Sequence, residues 1–255
     1  MAGTVALALG CSRSADPPSV VRLETSPSLV ESVVTERAPA PLSIEPLAVP
    51  GDLDGYVLRG GSRGEGLAVF VPGRCVHPQG YMLAFMRAAS EYGDFVGIQG
   101  DVDCGGGARR WSSDVVAMDK RIRALVAACG LDATRPITLI GYSQGAERIE
   151  WLHRHDPRRY PKLVLMSGPV APSSKKLASS EAVALMAGTR ESQALMRDGS
   201  ESLARASVDA KYFSLPGARH GELGESAESA MSNVLKWLAV SGREKRVSHW
   251  EPAPR

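Results

Sequence analysis

The stretch that most constrains this sequence is a pentapeptide, Gly-Tyr-Ser-Gln-Gly at 141–145, which lies between two contrasting segments. The apolar run 137–140 precedes it, and residues 146–152 after it have the composition of a helix. A strand that leads into a helix within five residues needs a sharp turn, and glycines at both ends allow strand and helix to approach closely. The pattern predicts that Ser143 lies at the tip of this turn, beside the partly positive N-terminus of the helix.

The same pentapeptide pattern occurs a second time, at 60–64, so the pattern alone carries little weight. The second copy lies between two strand-like runs, 55–59 and 67–71, and no helix-like segment follows it directly. A glycine-rich segment between two strands is typical of a hairpin turn, which is our prediction for it. Context, rather than the pattern, therefore favours Ser143 as the reactive serine.

Strand-like and helix-like segments alternate through residues 42–242, which predicts one α/β domain. Two antiparallel strands are expected at 42–49 and 56–59, followed by strands at 67–71, 94–98, 137–140, 163–166, 182–187 and 211–215. Helices are expected at 79–92, from a cap at Ser112 or Ser113 to Gly130, and at 146–152, 192–207 and 226–240. The spacing predicts a mostly parallel sheet of about eight strands with helices on both faces, with residues 99–110 as a loop.

Both ends of the chain differ in composition from this domain. Residues 1–11 form a short apolar run that ends in Cys11, which is typical of a bacterial lipoprotein signal whose cysteine receives lipid. Residues 12–41 predict a flexible tether rich in serine and proline, and residues 243–255 a polar tail. This interpretation predicts a cell-envelope protein with a membrane tether at Cys11. The alternative is a loose N-terminus of a cytoplasmic protein with an incidental cysteine.

Charge and cysteine content exclude several function classes. The 30 Lys and Arg residues nearly balance the 28 Asp and Glu residues, so bulk charge favours neither nucleic acid nor a membrane surface. No apolar stretch reaches the roughly 18 residues that span a bilayer, and the four cysteines form no zinc-binding pattern. Cys75 and Cys104 follow two strands that should be neighbours. Two hypotheses remain for them, a disulfide or two separate buried thiols.

A serine hydroxyl needs a base within hydrogen-bond reach to act as a nucleophile at neutral pH. His220 is our candidate, because it lies in a glycine-bracketed loop after the last predicted strand, at the sheet edge where open α/β sheets bind ligands. The other four histidines are expected at a solvated helix end (His153 and His155), in the tail (His249) and in the loop after the strand at 67–71, where His77 can line a pocket.

A carboxylate should orient the imidazole and stabilise its cation. Glu191 is the first carboxylate after the predicted strand at 182–187, which makes it our candidate. It can also serve as an acid at the N-terminus of the next helix. Asp198 and Asp209 are rivals, but they lie further from the strand end.

At this point the sequence resembles the α/β-hydrolases, especially the dienelactone-hydrolase-like and small esterase branches, over about residues 42–242. The resemblance depends on the pentapeptide, on Gly188-x-x-Glu191, on Gly217-x-x-His220-Gly221 and on their order. It implies that Ser143 is the nucleophile, His220 the base and Glu191 the acid. The implied activity is a serine hydrolase for ester-like acyl substrates, with no metal or organic cofactor.

The resemblance also implies an oxyanion hole built from backbone N–H groups. One donor would be Gln144, and the second would come from the loop after the strand at 67–71. Pro72 has no N–H, so Arg74, or else Cys75, would supply it. Substrate contacts are expected from His77, Tyr142 and Cys75.

Three alternatives remain open at this stage. A peptidase or an acyltransferase would use the same residues on a small-molecule or peptide-like acyl substrate, because a fold does not fix a substrate. A catalytically silent protein of this fold that acts as a binding module belongs to a different class.

Overall fold

The alternating apolar runs form strands of one sheet in the computed structural model, which describes residues 41–61 and 65–242. The strands are β1 (Glu45–Leu47), β2 (Gly55–Leu58), β3 (Gly66–Val71), β4 (Gly93–Gly97), β5 (Val102–Gly105), β6 (Ala108–Arg110), β7 (Thr138–Tyr142), β8 (Lys162–Met166), β9 (Ala182–Gly188) and β10 (Ala210–Leu215). The helices are α1 (Pro78–Ala84), α2 (Met86–Tyr92), α3 (Val115–Ala128), α4 (Gln144–His155), α5 (Ser174–Leu177), α6 (Ala194–Arg205) and α7 (Ala227–Val240). The signal, tether and tail predicted at the two termini lie outside the described residues.

Eight of these strands form the main sheet, in the order β1-β2-β4-β3-β7-β8-β9-β10. β2 pairs antiparallel with both β1 and β4, whereas β4, β3, β7, β8, β9 and β10 run parallel to one another, which confirms the predicted mostly parallel sheet. β5 and β6 pair with each other as a separate hairpin. The loops that follow the parallel strands all leave at one edge of the sheet, which is where this architecture places a ligand.

Helices cover both faces of the sheet, as predicted. Side chains of a strand alternate between faces, so Val69 joins one apolar cluster and its neighbour Phe70 joins the other. The first cluster contains residues of α3, α4 and α6, and the second contains residues of α1, α2 and α7. Because the central strands are buried on both sides, they are apolar throughout rather than alternating. No helix of the described ranges has both the length and the apolarity needed to cross a membrane.

Two predictions about connections are wrong. β2 and β3 do not form the predicted hairpin, because β2 pairs with β4, which lies between them in the sheet. Residues 62–64 of the predicted turn lie outside the described residues. The loop predicted at 99–110 contains the hairpin of β5 and β6. Both errors arise from pairing between segments, which a strand pattern read locally does not reveal.

Two predictions about helices also need correction. The helix expected at 79–92 is two short helices, because Phe85 leaves the helical conformation at φ −137° and ψ 33°. α3 is capped by Asp114 rather than by Ser112 or Ser113. The Asp114 carboxylate accepts a hydrogen bond from the N–H of Ala117 at 2.9 Å.

Cys75 and Cys104 form a disulfide, which was one of the two sequence hypotheses. Because β3 and β4 are neighbours, the loops that follow them lie close enough for the bridge, and the Cα atoms are 5.7 Å apart. The bridge ties the loop after β3 to the hairpin of β5 and β6. The remaining described cysteine, Cys129, is buried, and burial raises the pKa of its thiol to about 11, which keeps it protonated.

Removing this disulfide is expected to destabilise the domain. The double variant Cys75→Ser/Cys104→Ser should lose about 3 kcal/mol of unfolding free energy, because the bridge closes a loop with a sequence separation of 29. Urea unfolding of the oxidised protein and of the variant measures this difference. Dithiothreitol should destabilise the wild type and leave the variant unchanged. Equal midpoints for variant and oxidised wild type would contradict the prediction.

Candidate active site

The pentapeptide forms a tight turn between β7 and α4, with Ser143 at its tip. The backbone of Ser143 has φ 51° and ψ −118°, a conformation that costs a non-glycine residue on the order of 1–3 kcal/mol. The N–H of Ser143 donates to the carbonyl of Met166 at 2.8 Å, which fixes the turn to the end of β8.

Both glycines of the pentapeptide are required by packing. A Cβ at Gly145 would lie 2.0 Å from the carbonyl oxygen of Val71 on β3. A Cβ at Gly141 would lie 2.6 Å from the carbonyl oxygen of Gly145. The turn therefore brings α4 against the end of β3 at a distance that leaves no room for a side chain, which is the close approach that the sequence pattern predicted.

The structure brings the three sequence-predicted side chains into one hydrogen-bonded series. The Oγ of Ser143 lies 3.1 Å from Nε2 of His220, and Nδ1 of His220 lies 3.0 Å from Oε2 of Glu191. A carboxylate only accepts, so Nδ1 carries the proton and Nε2 is free to accept from the serine. The imidazole side chain is 54% exposed, whereas the carboxylate is 12% exposed, so the series leads from solvent inward.

The carboxylate of Glu191 is held on its second oxygen as well. Its Oε1 accepts from the hydroxyl of Ser167 at 2.5 Å and from the N–H of Gly188 at 2.8 Å. These bonds aim Oε2 at the imidazole. Sequence reasoning missed Ser167, and the only available signal was its position directly after the predicted strand at 163–166. Asp198 lies within α6 and Asp209 just before β10, so neither rival stands at the sheet edge.

The loops that carry the acid and the imidazole are bonded to each other. The N–H of Arg190 donates to the carbonyl of Ala218 at 2.9 Å, and the N–H of Gly217 donates to the hydroxyl of Thr189 at 2.9 Å. A Cβ at Gly188 would lie 2.3 Å from the Ala218 carbonyl oxygen, so the two backbones are in contact. The carboxylate and the imidazole therefore hold their relative position through the backbone as well as through their own bond.

The loop after β3 runs beside the serine. A Cβ at Gly73 would lie 3.2 Å from the Cβ of Ser143, which places Arg74 and Cys75 next in line along the same loop. Both are exposed, and Cys75 has φ 56°. Gln144 is the first residue of α4, so its N–H has no acceptor within the helix. The two predicted donor segments thus both lie next to Ser143.

Tyr142 lies behind the imidazole loop. Only 2% of the residue is exposed, its ring centroid is 5.5 Å from that of His220, and its hydroxyl accepts a hydrogen bond from the N–H of Gly221. Burial raises the pKa of this phenol, so it stays neutral. This burial does not support the predicted substrate contact of Tyr142, and the geometry instead makes it a support for the loop that carries the base.

An open groove lies next to the imidazole loop, with a volume of about 540 Å³. It is lined by Val76, His77, Gly80, Tyr81, Ala84, Gly221, Leu223 and Gly224. Val76 continues the loop that passes the serine, and Gly221 directly follows the imidazole, so the groove is bordered by both sides of the site. His77 is placed here as the sequence predicted, and its Nε2 lies 2.8 Å from the Tyr56 hydroxyl.

One histidine prediction is wrong. His153 is fully buried rather than solvated, with Nδ1 2.8 Å from the carbonyl of Tyr160 and Nε2 3.2 Å from the hydroxyl of Ser179. Burial lowers the pKa of this imidazole and keeps it neutral. The segment that leads into β8 covers the C-terminal turn of α4, which the helix pattern alone does not show. His155 is exposed, as predicted.

No protein-family model matches the sequence, and no curated protein matches it. Solved structures do match. The predicted CIB-like hydrolase from Thermoplasma acidophilum has a TM-score of 0.59 at 14% identity, over 78% of this chain and 98% of that one. The naproxen esterase of Bacillus subtilis has a TM-score of 0.58 at 10% identity, over 78% and 92%.

A third structure, Est1E from Butyrivibrio proteoclasticus, has a TM-score of 0.54 at 14% identity, over 77% of this chain and 99% of that one. The chain has the α/β-hydrolase fold. In this fold the loops after the parallel strands carry the chemistry, and Ser143, Glu191 and His220 follow β7, β9 and β10 here. At these identities the likeness concerns the fold, and the activity has to be argued from the site.

Proposed function

We propose that the protein is a serine hydrolase that cleaves ester-like acyl substrates through an acyl-enzyme on Ser143. The observation that carries this proposal is the series of contacts at 3.1 Å and 3.0 Å that joins a strained, partly exposed serine to an imidazole and a carboxylate. A nucleophile, a base and an orienting acid within hydrogen-bond reach form the arrangement that acyl transfer needs. The esterases among the structures of the same fold support it.

The proposed reaction has two halves. The Oγ of Ser143 attacks the substrate carbonyl carbon while Nε2 of His220 takes the hydroxyl proton, and the Glu191 carboxylate stabilises the imidazolium. The proton then passes to the leaving oxygen as the bond from the carbonyl carbon to that oxygen breaks. In the second half the same nitrogen takes a proton from water, and the hydroxide oxygen bonds to the acyl carbon. The bond from that carbon to Oγ of Ser143 then breaks as Oγ takes the proton back, which releases the acid and restores the serine.

Backbone N–H groups would stabilise the negative charge on the substrate oxygen. Gln144 supplies one donor at the N-terminus of α4, and the segment Arg74–Cys75 supplies the other. One such donor is worth about 3–4 kcal/mol of transition-state stabilisation. The helix dipole of α4 acts in the same direction because its positive end faces the serine.

We propose that the groove beside His220 takes one side of the ester. Tyr81 and Leu223 give it apolar walls, and the pair formed by His77 and Tyr56 gives it one polar end. This lining favours a substrate part of moderate size that is largely apolar. Cys75 borders the groove through its neighbour Val76, but its sulfur is held in the disulfide.

Labelling with a fluorophosphonate probe tests the proposal directly. The wild type should be phosphonylated at Ser143, as located by mass spectrometry of the peptides. A silent binding module should not react. Rates on p-nitrophenyl esters of graded chain length, set beside aryl amides, then separate an esterase from a peptidase. No labelling and no turnover of any ester would end the proposal.

We further propose that the protein works in the cell envelope, with Cys11 as its lipid anchor. The Cys75–Cys104 disulfide supports this over a cytoplasmic location, since such bonds persist in oxidising compartments. Metabolic labelling with a fatty-acid analogue tests the lipid attachment: the wild type should be labelled, and Cys11→Ser should not.

A further inference from the structure

From the contacts that surround the loop after β3, we infer that Trp111 is a positioning residue for the oxyanion hole. This inference rests on the proposed function and adds to it a residue outside the nucleophile, base and acid. Trp111 directly follows β6 and is 2% exposed. Its contacts lead to both segments that carry the proposed donors.

The indole binds the first of these segments. Its Nε1–H donates to the carbonyl of Pro72 at 2.8 Å, in a buried position. Pro72 precedes Gly73, the residue whose Cβ would lie 3.2 Å from the Cβ of Ser143. This hydrogen bond therefore sets how closely the loop that continues to Arg74 and Cys75 approaches the nucleophile.

The backbone of Trp111 binds the second segment. Its N–H donates to Oε1 of Gln144 at 3.0 Å, and Nε2 of Gln144 donates back to its carbonyl at 3.1 Å. This two-way amide pair fixes the side chain of the residue whose own N–H is the other proposed donor. One residue is thus bonded to both segments, and each of them lies next to Ser143.

The hairpin that ends at Trp111 is itself fastened to the loop after β3. The Cys75–Cys104 disulfide and the bridge between Val76 and Arg109 join the two segments. The base of the hairpin is closed by Ser112, whose N–H donates to the carboxylate of Asp101 at 2.8 Å. These contacts hold the hairpin in place, so the position of the Trp111 indole is fixed relative to the loop after β3.

Loss of the indole contact should weaken stabilisation of the transition state more than it weakens substrate binding. Donors of an oxyanion hole act at 2.7–3.1 Å from the charged oxygen, and a misplacement of about 1 Å can cost a factor of about 100. The neutral carbonyl of the bound ester depends on them much less. Loosening the indole contact should therefore lower kcat and leave KM nearly unchanged.

The variant Trp111→Phe tests this, because it keeps an aromatic ring in the core and removes the donor to Pro72. We expect kcat on p-nitrophenyl butyrate to fall about 10- to 100-fold, with KM within about twofold of the wild type. Trp237→Phe is the matched control, since Trp237 lies on α7 and packs against Phe213, and it should leave both constants unchanged.

A second readout separates positioning from a general loss of structure. A trifluoromethyl ketone forms a charged tetrahedral adduct with the serine, so its inhibition constant should rise by the same factor as kcat/KM falls. Gln144→Met removes the amide pair with the Trp111 backbone, so it should also lower kcat and weaken ketone binding while KM stays nearly unchanged. This variant tests the inference if Trp111→Phe does not fold. Wild-type kcat and ketone affinity in the folded variants would overturn this inference alone. An inactive, unlabelled wild type would instead overturn the proposed function, and this inference with it.

Discussion

Replacing Ser143 with alanine is expected to lower kcat by a factor on the order of 10⁴ to 10⁶ while the fold stays intact. The variant lacks the only oxygen within 3.1 Å of the His220 Nε2 among the described contacts, so no covalent intermediate can form. Alanine has a Cβ as serine does, so the substitution should not alter the backbone conformation of the turn. Steady-state hydrolysis of p-nitrophenyl butyrate measures the loss, and thermal melting checks the fold.

The chain supplies a matched control for this substitution. Ser62 occupies the same place in the second Gly-x-Ser-x-Gly pentapeptide, at 60–64. Ser62→Ala should retain wild-type kcat and wild-type fluorophosphonate labelling, since the proposed base lies beside Ser143. A Ser143→Ala protein with substantial activity would remove the acyl-enzyme mechanism. Loss of activity in Ser62→Ala alone would move the reactive serine to the other pentapeptide.

Replacing Glu191 with glutamine is expected to lower kcat by about 10³- to 10⁴-fold. The physical reason lies in the two donors that already bind Oε1, the Ser167 hydroxyl and the Gly188 N–H. The amide oxygen of glutamine would turn toward them, which leaves its NH₂ group facing Nδ1 of His220. That nitrogen would then have to accept, so the proton would move to Nε2, where it blocks acceptance from Ser143.

Asp198→Asn and Asp209→Asn are the matched controls for Glu191→Gln, because they change the same charge on the two rival carboxylates. Both should keep wild-type kcat, measured on the same ester as for Glu191→Gln. If Asp198→Asn or Asp209→Asn lost as much activity as Glu191→Gln is expected to lose, the acid would have to be reassigned.

The sequence was informative about the sheet edge because parallel strands end together. Each of Ser143, Glu191 and His220 follows a predicted parallel strand, so their side chains were expected at the same sheet edge. The distances of 3.1 Å and 3.0 Å between them agree with this expectation. Glycines of the pentapeptide were equally predictable, since their spacing reflects a steric need that is local to one turn.

The supporting residues could not be predicted in this way, because their roles depend on distant partners. The bond of Ser167 to Glu191 requires β8 to lie between β7 and β9, which is a property of strand order rather than of any local pattern. Trp111 reaches Pro72 across 39 residues, and its apolar character indicates only burial. Burial of His153 likewise depends on a segment beyond its own helix, so its place at the end of the helix-like segment wrongly predicted exposure to solvent.

The order of the strands also governs when the site comes into existence. A nascent chain that has emerged from the ribosome through β8 already contains Ser143, yet Glu191 and His220 are still to be synthesised. Its serine would be an ordinary alcohol, since nothing is present to withdraw the proton. On the proposed mechanism, Ser143 gains its base only once β10 has paired with β9, because Glu191 and His220 follow these two strands. The proposed nucleophile therefore stays without its base until synthesis has passed His220, when α7 is the one described helix still to be made.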